Sequence, residues 1–573
     1  MTRDFSRFLR PRSVALIGPE AWCADVIAKL REMRFVWSIW PVVPGAKFVA
    51  GIRAYPGITQ LPAGPDLAFI GQDGAQAVEA VAALSRRDAG GAICQGEAIP
   101  ADLGRAAGDM PLLGPGCRGV INALERAPVW DGAHGLRHVK RGVAIIARNA
   151  SLAQSLSQER RGLPIAVLAV AEPGRAQTGL ALLGEALLRD ERISALGIQA
   201  EDLGDPQALI DMAQTAETLG KSVVILRSGH ETGARALFER AGMEQVSSPA
   251  TLLETLKILH VTGALPANMF AALCCSGGTG GRLRDLAQAE GLDLPAFSDA
   301  QREALARDLG PGGALENPLD CSSAVQRSVP RLTRIMSEAM TGRAVLTLLV
   351  VDEALQGVGG DAAWERIAEA AAAARARVGM PLALLTTGPE VWPEERAGAL
   401  LGTRLIPLCG LPEALEALAA CVALGGPLRR PAPLFLPLPD AGVGTRIPDQ
   451  AEALGMLAAE GLAVGPAQTP AAEEDAVRLH LSAQPAYGYV LSLRRGSAEA
   501  TGLLPLRAGE AQRLLEALGC AAPEIEAVVP ALVSVQDYVI AQGGRVAELE
   551  LAFCPGAHGE ALASGLKIRA ASA

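Results

Sequence analysis

Aromatic side chains are scarce in this chain: Phe, Trp and Tyr make up 3% of it, although 50% of its residues are hydrophobic. The apolar content is therefore mostly Ala, Leu and Val, which suits helices packed on sheets in several cores. Histidine is scarcer still, at six in 573 residues, so imidazole chemistry has few places to reside. Basic clusters are missing and the net charge is −10. Both argue against nucleic acid or an anionic membrane surface as a partner. Runs such as VLTLLVV at 345–351 fall far short of the ~20 apolar residues that span a bilayer. The N-terminal MTRDFSRFLRPRS carries positive charge with no apolar stretch behind it, so no secretory leader is expected. The ten cysteines show neither CxxC nor Cys/His spacing, so neither a zinc site nor a disulfide framework is supported. The expectation is a cytoplasmic protein with reduced thiols, Cys274 and Cys275 among them as buried thiols in a strand-like run.

What is present is alternation. A chain of 573 residues should hold three to five domains. Over 12–125, the apolar runs SVALIG (13–18), VWSIWPVV (36–43), DLAFI (66–70), GAIC (91–94) and PLLGP (111–115) are separated by helical patterns. That order predicts a parallel sheet covered on both faces. The pattern recurs over 141–262 with GVAIIA, PIAVLAV, ISALGIQA, SVVIL and EQV, and over 268–425 with MFAALCC, LDLP (292–295), LTLLVV, PLALLT and RLIPL. Five prolines between 427 and 439 mark an extended linker. The tail opens with the helical DQAEALGMLAAEG, then GLAVGPAQ and an expected second helix, and ends on the strand-like VAELELAF and GLKIRA. The predicted class is α/β with an α+β tail. Its segments are 1–128, 141–265, 268–426, the linker 427–446, and 447–573.

Chemistry in such sheets collects where strands end. Gly18 ends the first strand, but Pro19 follows and removes a backbone N–H, and no second glycine lets a phosphate approach. The turn either accepts a phosphate or only connects. Without G-x-G-x-x-G and a downstream acid, a dinucleotide oxidoreductase is disfavoured. GPGCRGVIN (114–122) is either a ligand loop containing Gly114, Pro115 and Cys117 or a plain turn around a buried thiol. Gly277, Gly278, Gly280 and Gly281 follow the strand MFAALCC. They either cradle an anion at a helix N-terminus or make a tight turn. His230 follows the strand SVVIL in a Ser-Gly-His turn.

Taken in order, these pieces resemble the NDP-forming acyl-CoA synthetases, the acetate–CoA ligase (ADP-forming) family related to succinyl-CoA synthetase. The resemblance rests on LRPRSVALIG (9–18), WPVVPG (40–45) with Pro44, GPGCRGVIN, LRSGHETGARA (226–236), CCSGGTGG (274–281), NPLD (317–320) and AEALGMLAAEGLAVGPAQ (451–468). It implies a Rossmann-like CoA-binding domain, two flavodoxin-like ligase domains and a truncated ATP-grasp-like tail. It also implies CoA or acyl-CoA as ligand, with Gly18, Pro19, Pro44, Gly114, Pro115, Cys117, Gly277, Gly278 and Gly280 at its sites. In that family an acyl-CoA and phosphate give an acyl phosphate, and a histidine then carries the phosphoryl group to the ATP-grasp domain.

The departures fall on that chemistry. Ala236 passes straight into LFERAGMEQV (237–246), so the loop bearing the family's histidine is missing, and His230 stands where the family has arginine. His230 is then an exposed or capping residue, or a substitute nucleophile. Glu201 aligns with the glutamate that would steady a phosphohistidine. The family's glycine turn is replaced by ARNASLAQS (147–155), and PGRAQTG (173–179) lacks the expected carboxylate. In the tail, Ser492 stands for a nucleotide-gripping lysine and Ala552 for a metal-binding asparagine, leaving Glu550. ATP, ADP and magnesium are therefore not expected. The resemblance implies a catalytically impaired CoA-binding protein, or else a working acid–thiol ligase that borrows an ATP-grasp partner subunit. A homo-oligomer or a ligase-subunit partner fits either reading.

Overall fold

A computed structural model describes residues 3–96, 101–159, 161–171, 177–202, 204–229, 231–275, 278–310, 314–324, 328–351, 361–388, 392–426, 450–459, 461–464, 476–484, 486–542, 545–555 and 561–570. They divide into two compact units: 1–204, 211–228 and 242–429 in the first, 205–210, 229–241 and 430–573 in the second. His230 and Gly277 lie outside the described residues.

Among the described residues the first unit holds a two-stranded antiparallel pair, Phe48–Val49 with Ile52–Arg53, and three sheets of five or more strands. The N-terminal one contains β1 (Ser13–Ile17), β2 (Ser38–Val42), β3 (Leu67–Ile70), β4 (Ala92–Cys94) and β5 (Leu112–Leu113), all parallel, in the order β2-β1-β3-β4-β5. Every residue of β1 and β3 is buried, as a strand covered on both faces requires. Helices α1 (Glu20–Glu32) and α2 (Gly74–Arg86) follow β1 and β3.

The second sheet takes β6 (Gly119–Asn122) and β7 (Ala127–Trp130), followed by β8 (Gly142–Ala147), β9 (Ile165–Val170), β10 (Ile193–Gln199), β11 (Ser222–Leu226) and β12 (Glu244–Val246). Its order is β12-β11-β10-β8-β9-β6-β7, with β6 and β7 antiparallel at one edge. The stretch just after β5 thus pairs into this sheet, through Val120, Ile121 and Asn122 against Ala169, Leu168 and Val167. The third sheet runs β14-β13-β15-β16-β17, from β13 (Phe270–Cys274), β14 (Leu319–Asp320), β15 (Leu346–Val350), β16 (Leu382–Thr386) and β17 (Ile406–Cys409). In each sheet the parallel strands wind second, first, third, fourth, fifth, so each reverses order once, between its first and third strands. One expected strand fails. LDLP at 292–295 makes a single bridge, Met269 to Asp293, and Leu319–Asp320 is the edge strand instead. The physical reason is Asn317, whose amide accepts from Ala272 N and donates to Phe270 O and Pro295 O. That side chain takes the edge groups of β13 that a longer strand would have paired.

After β8 comes α3 (Ala150–Ser157), after β11 comes α4 (Thr232–Ala241), and after β12 comes α5 (Pro249–Thr262). Residues 251–259 of α5 are all buried, which marks a helix enclosed on every side. Ser248 caps it, accepting from Thr251 N at 3.0 Å. Helices α6 (Thr279–Ala289) and α7 (Leu411–Gly425) follow β13 and β17.

The second unit is an antiparallel sheet, β20-β19-β18-β21-β22, built from β18 (Val477–Gln484), β19 (Gly488–Arg495), β20 (Ala498–Leu503), β21 (Val546–Pro555) and β22 (Ala561–Ala570). Helices α8 (Ala508–Ala517) and α9 (Ala522–Ala541) share its core. Of the second helix expected after GLAVGPAQ, residues 465–475 lie outside the described residues, and Val477–Gln484 is a strand, because Val477, Leu479 and Leu481 alternate with polar residues. Helix α4 belongs to this unit: Ala236 and Leu237 pack with Ile210, Val490 and Leu503, and Arg240 pairs with Glu510 at 3.3 Å. A Cβ on Gly233 would come 2.7 Å from the Tyr487 ring, so only glycine allows that approach. Among the described residues, no helix is long and apolar enough to cross a membrane.

Candidate functional site

The register of the first sheet puts its exits on one line. Ile17 pairs with Val42 and Ile70, Ile70 with Cys94, and Ile93 with Leu113. Gly18, Val43, Gly71 and Gln95 therefore leave the sheet side by side, with Gly114 one residue lower, level with Cys94. The order reverses between β1 and β3, so Gly18 and Gly71 flank the crevice where such sheets take ligands. Trp22 fills its floor. A Cβ on Gly18 would lie 3.0 Å from the Trp22 ring, and one on Gly71 3.1 Å from it. The indole packs on Phe69 with centroids 4.7 Å apart, and its Nε1 is buried with no hydrogen-bond partner.

The two helix N-termini beside the crevice differ. Pro19 is the N-cap of α1 with no side-chain cap, and Glu20 places an acid in the first turn, where it competes with any second anion. Behind it, burial pushes the Cys23 thiol up to about 12. Helix α2 has no acid in its first turn but has Asp73 as its N-cap, and nothing lies within 4 Å of a Cβ on Gly74. On the outer side Pro44 is exposed, in a turn closed by Ala46 N donating to Val43 O. At the opposite end, Gly114 has φ 90°, and a Cβ there would strike Cys94 O at 2.1 Å. Pro115 follows through a cis bond. Cys117 is 1% exposed, and its thiol donates to Val170 O at 2.8 Å. That contact makes the loop a tie between the first two sheets.

At the rim of the second sheet the donors of α3 are spent internally. Asn149 caps it, accepting from Ser151 N and Leu152 N at 2.9 Å, and Asn149 N donates to Gln199 Oε1 at 3.0 Å. Glu201 leaves β10 exposed. Its carboxylate accepts from Ser228 N at 3.3 Å, and its carbonyl from Arg227 Nε at 2.9 Å. Arg227 is 7% exposed and is not one of the expected site residues; its signal in the sequence is its place directly after a buried strand. At the third rim Gly278 is the left-handed N-cap of α6, whose first turn carries no acid. Gly281 is open, and a Cβ on Gly280 would make ordinary contacts only.

Residues 12–123 match the family described as CoA binding domain. Over 400 residues the chain is 27% identical to a trans-feruloyl-CoA synthase of an unknown prokaryotic organism, covering 62% of this chain and 56% of that protein. Over 350 residues it is 25% identical to the α subunit of acetate–CoA ligase [ADP-forming] II of Pyrococcus furiosus, covering 55% of this chain and 75% of that one. The chain is a relative of the NDP-forming acyl-CoA synthetases. Its match spans little more than half the length of the feruloyl-CoA synthase. The fold is shared with the dinucleotide-forming acetyl-coenzyme A synthetase 1 of Candidatus Korarchaeum cryptofilum, with a TM-score of 0.63 at 17% identity over 74% of this chain and 97% of that one.

In this acyl-CoA synthetase relative the C-terminal sheet gathers His480, Glu548 and Glu550, with ligand atoms within 4.8 Å of one another. Sequence reasoning had singled out only Glu550 there. Each carboxylate already meets a cation: Glu548 accepts from Arg569 at 2.8 Å, and Glu550 from Lys567 at 3.4 Å. His480 Nε2 lies 2.8 Å from Glu548. The hydrogen bonds from His480 and then Arg569 hold the Glu548 carboxyl below its ordinary value.

Proposed function

We infer that the chain binds CoA or an acyl-CoA at the rim of its first sheet while lacking the means to complete ligation by itself. The observation that carries the second half is Asn149. A helix N-terminus offers its free N–H groups to a phosphoryl group, but in α3 the side chain of Asn149 takes two of them. The missing histidine loop and Ser492 agree with that reading. The residues of the last sheet do not fit magnesium, which takes a shell of oxygen ligands and waters. An imidazole and two carboxylates already paired with Arg569 and Lys567 make a poor shell of that kind.

For CoA the residues fit better. Gly45, Gly74 and Gly116 have nothing within 4 Å of a Cβ, so the rim is open to close backbone approach. Isothermal titration with CoA, combined with labelling by acetyl-CoA and ³²P-phosphate, tests the reading. Binding without label is expected. Absence of binding overturns the ligand assignment, and a label lost in His230→Ala overturns the impairment.

A second reading, a ligase working with an ATP-grasp partner, is favoured by one finding: the Pyrococcus furiosus relative is named as a subunit. Activity appearing only when an ATP-grasp subunit is added would establish it.

A further inference from the structure

We propose that Cys275 and Cys321 form a dithiol pair which a low-molecular-weight disulfide oxidises to an intramolecular cross-link at the rim of the third sheet.

The pairing follows from register. In the parallel ladder Leu273 faces Leu319 and Cys274 faces Asp320, so Cys275 and Cys321 are the next residues out on adjacent strands. Side chains alternate along a strand, which puts Leu273 with Cys275 and Leu319 with Cys321 on one face. Packing agrees: Cys275 lies against the cluster that contains Leu273, Leu319 and Cys321, a cluster without Cys274. Neighbouring strands lie about 4.8 Å apart, inside the roughly 4.4–6.8 Å Cα separation that a disulfide accepts. Backbone bonds hold both positions, Cys321 N to Cys274 O and Cys275 N to Val350 O, each 2.9 Å.

The two thiols differ in reach. Cys321 is 1% exposed and donates to Cys274 O at 3.2 Å. The hydrogen bond with Cys275, followed by burial, pushes its thiol well above the ordinary range. Cys275 is half-buried, so it meets the oxidant first. Its thiolate attacks RSSR, forming Cys275–S–SR and releasing one RSH after protonation. The Cys321 sulfur then attacks the Cys275 sulfur, the S–SR bond breaks, and a second RSH leaves. Two protein thiols are oxidised and one RSSR is reduced to two RSH. The pair joins the exits of β13 and β14, on the side of β13 away from the strand-order reversal. CoA takes no part in this exchange.

The test uses the full native chain and oxidised glutathione, with acid quenching, alkylation and peptide mapping. A Cys275–Cys321 linked peptide is expected, with an intact mass lower by about 2 Da and reversal by dithiothreitol. Cys275→Ser should yield neither link nor adduct at this rim, and Cys321→Ser should stop at glutathione on Cys275. A stable glutathione adduct on Cys275 of the wild-type chain, or a Cys274–Cys275 link, overturns the proposal. Mapping of the wild-type chain decides the matter even if a serine variant fails to fold.

Discussion

Trp22 stands at the strand-order reversal of the first sheet, and Gly18 and Gly71 are bare where its indole lies. A ligand entering that crevice must meet the ring. CoA is therefore expected to change tryptophan emission in a fluorescence titration, and Trp22→Phe, which keeps most of the packing on Phe69, to remove that change. An unaltered response in the variant would place the ligand elsewhere. Another single residue sets a pH dependence. Burial, with Arg141 nearby, lowers the His260 imidazole to about 4, and its Nδ1 lies 2.8 Å from Ser194 Oγ. Since the folded value lies below the unfolded value of ~6.5, its contribution is whole above that pH. It is lost as pH falls towards 4, and the loss is at most about 3 kcal/mol. Thermal unfolding of His260→Gln followed between those pH values should show a shallower decline than the wild type.

Elements are where sequence and structure part company in this chain. Buried strands were legible because runs such as Val143–Ala147 and Ile165–Val170 have no polar interruption, as strands covered on both faces should. The edge strand Leu319–Asp320 was not, since two residues carry no periodicity and Asn317 defines the edge by hydrogen bonds from far along the chain. Asn149 illustrates the same limit in the candidate site. Its letter in ARNASLAQS suits a cap, but only the structure shows both donors taken. Asn149→Ala should lower stability by about 1 kcal/mol and leave Ser151 N and Leu152 N free. Thermal shift should then show tens of millimolar phosphate stabilising the variant more than the wild type. Equal shifts would detach α3 from anion binding.

At the scale of the first unit, a buried ion cluster joins the second sheet's helix α5 to the third sheet. Glu254 and Lys257 are both fully buried and 2.7 Å apart. Lys257 Nζ donates to Pro407 O, Cys409 N donates to Glu254 at 3.1 Å, and Arg161 lies 3.5 Å from the same carboxylate. Burial raises the Glu254 carboxyl above its ordinary value, although Lys257 opposes that shift. Removing one partner strands the other, so Lys257→Met alone should cost about 3–5 kcal/mol. Adding Glu254→Gln should recover part of that loss, because no uncompensated charge is left. A double-mutant cycle by thermal or urea unfolding checks this, and strict additivity would contradict it.

By itself the sequence determined the three α/β repeats, the glycine rims and the relation to acyl-CoA synthetases. Each of those is written locally, in apolar runs and in short motifs. Only the tertiary structure decided what meets at the rims. Trp22 closes on two glycines about 50 positions apart in the chain, Cys117 spends its thiol on Val170, and Cys275 comes to face Cys321. It also placed 229–241 in the unit of the C-terminal sheet, although SGHETGARA reads as the rim of the second. The physical reason is the same in each case. These relations depend on strand register and on apolar faces meeting across long loops, and neither is encoded within a window of neighbouring residues.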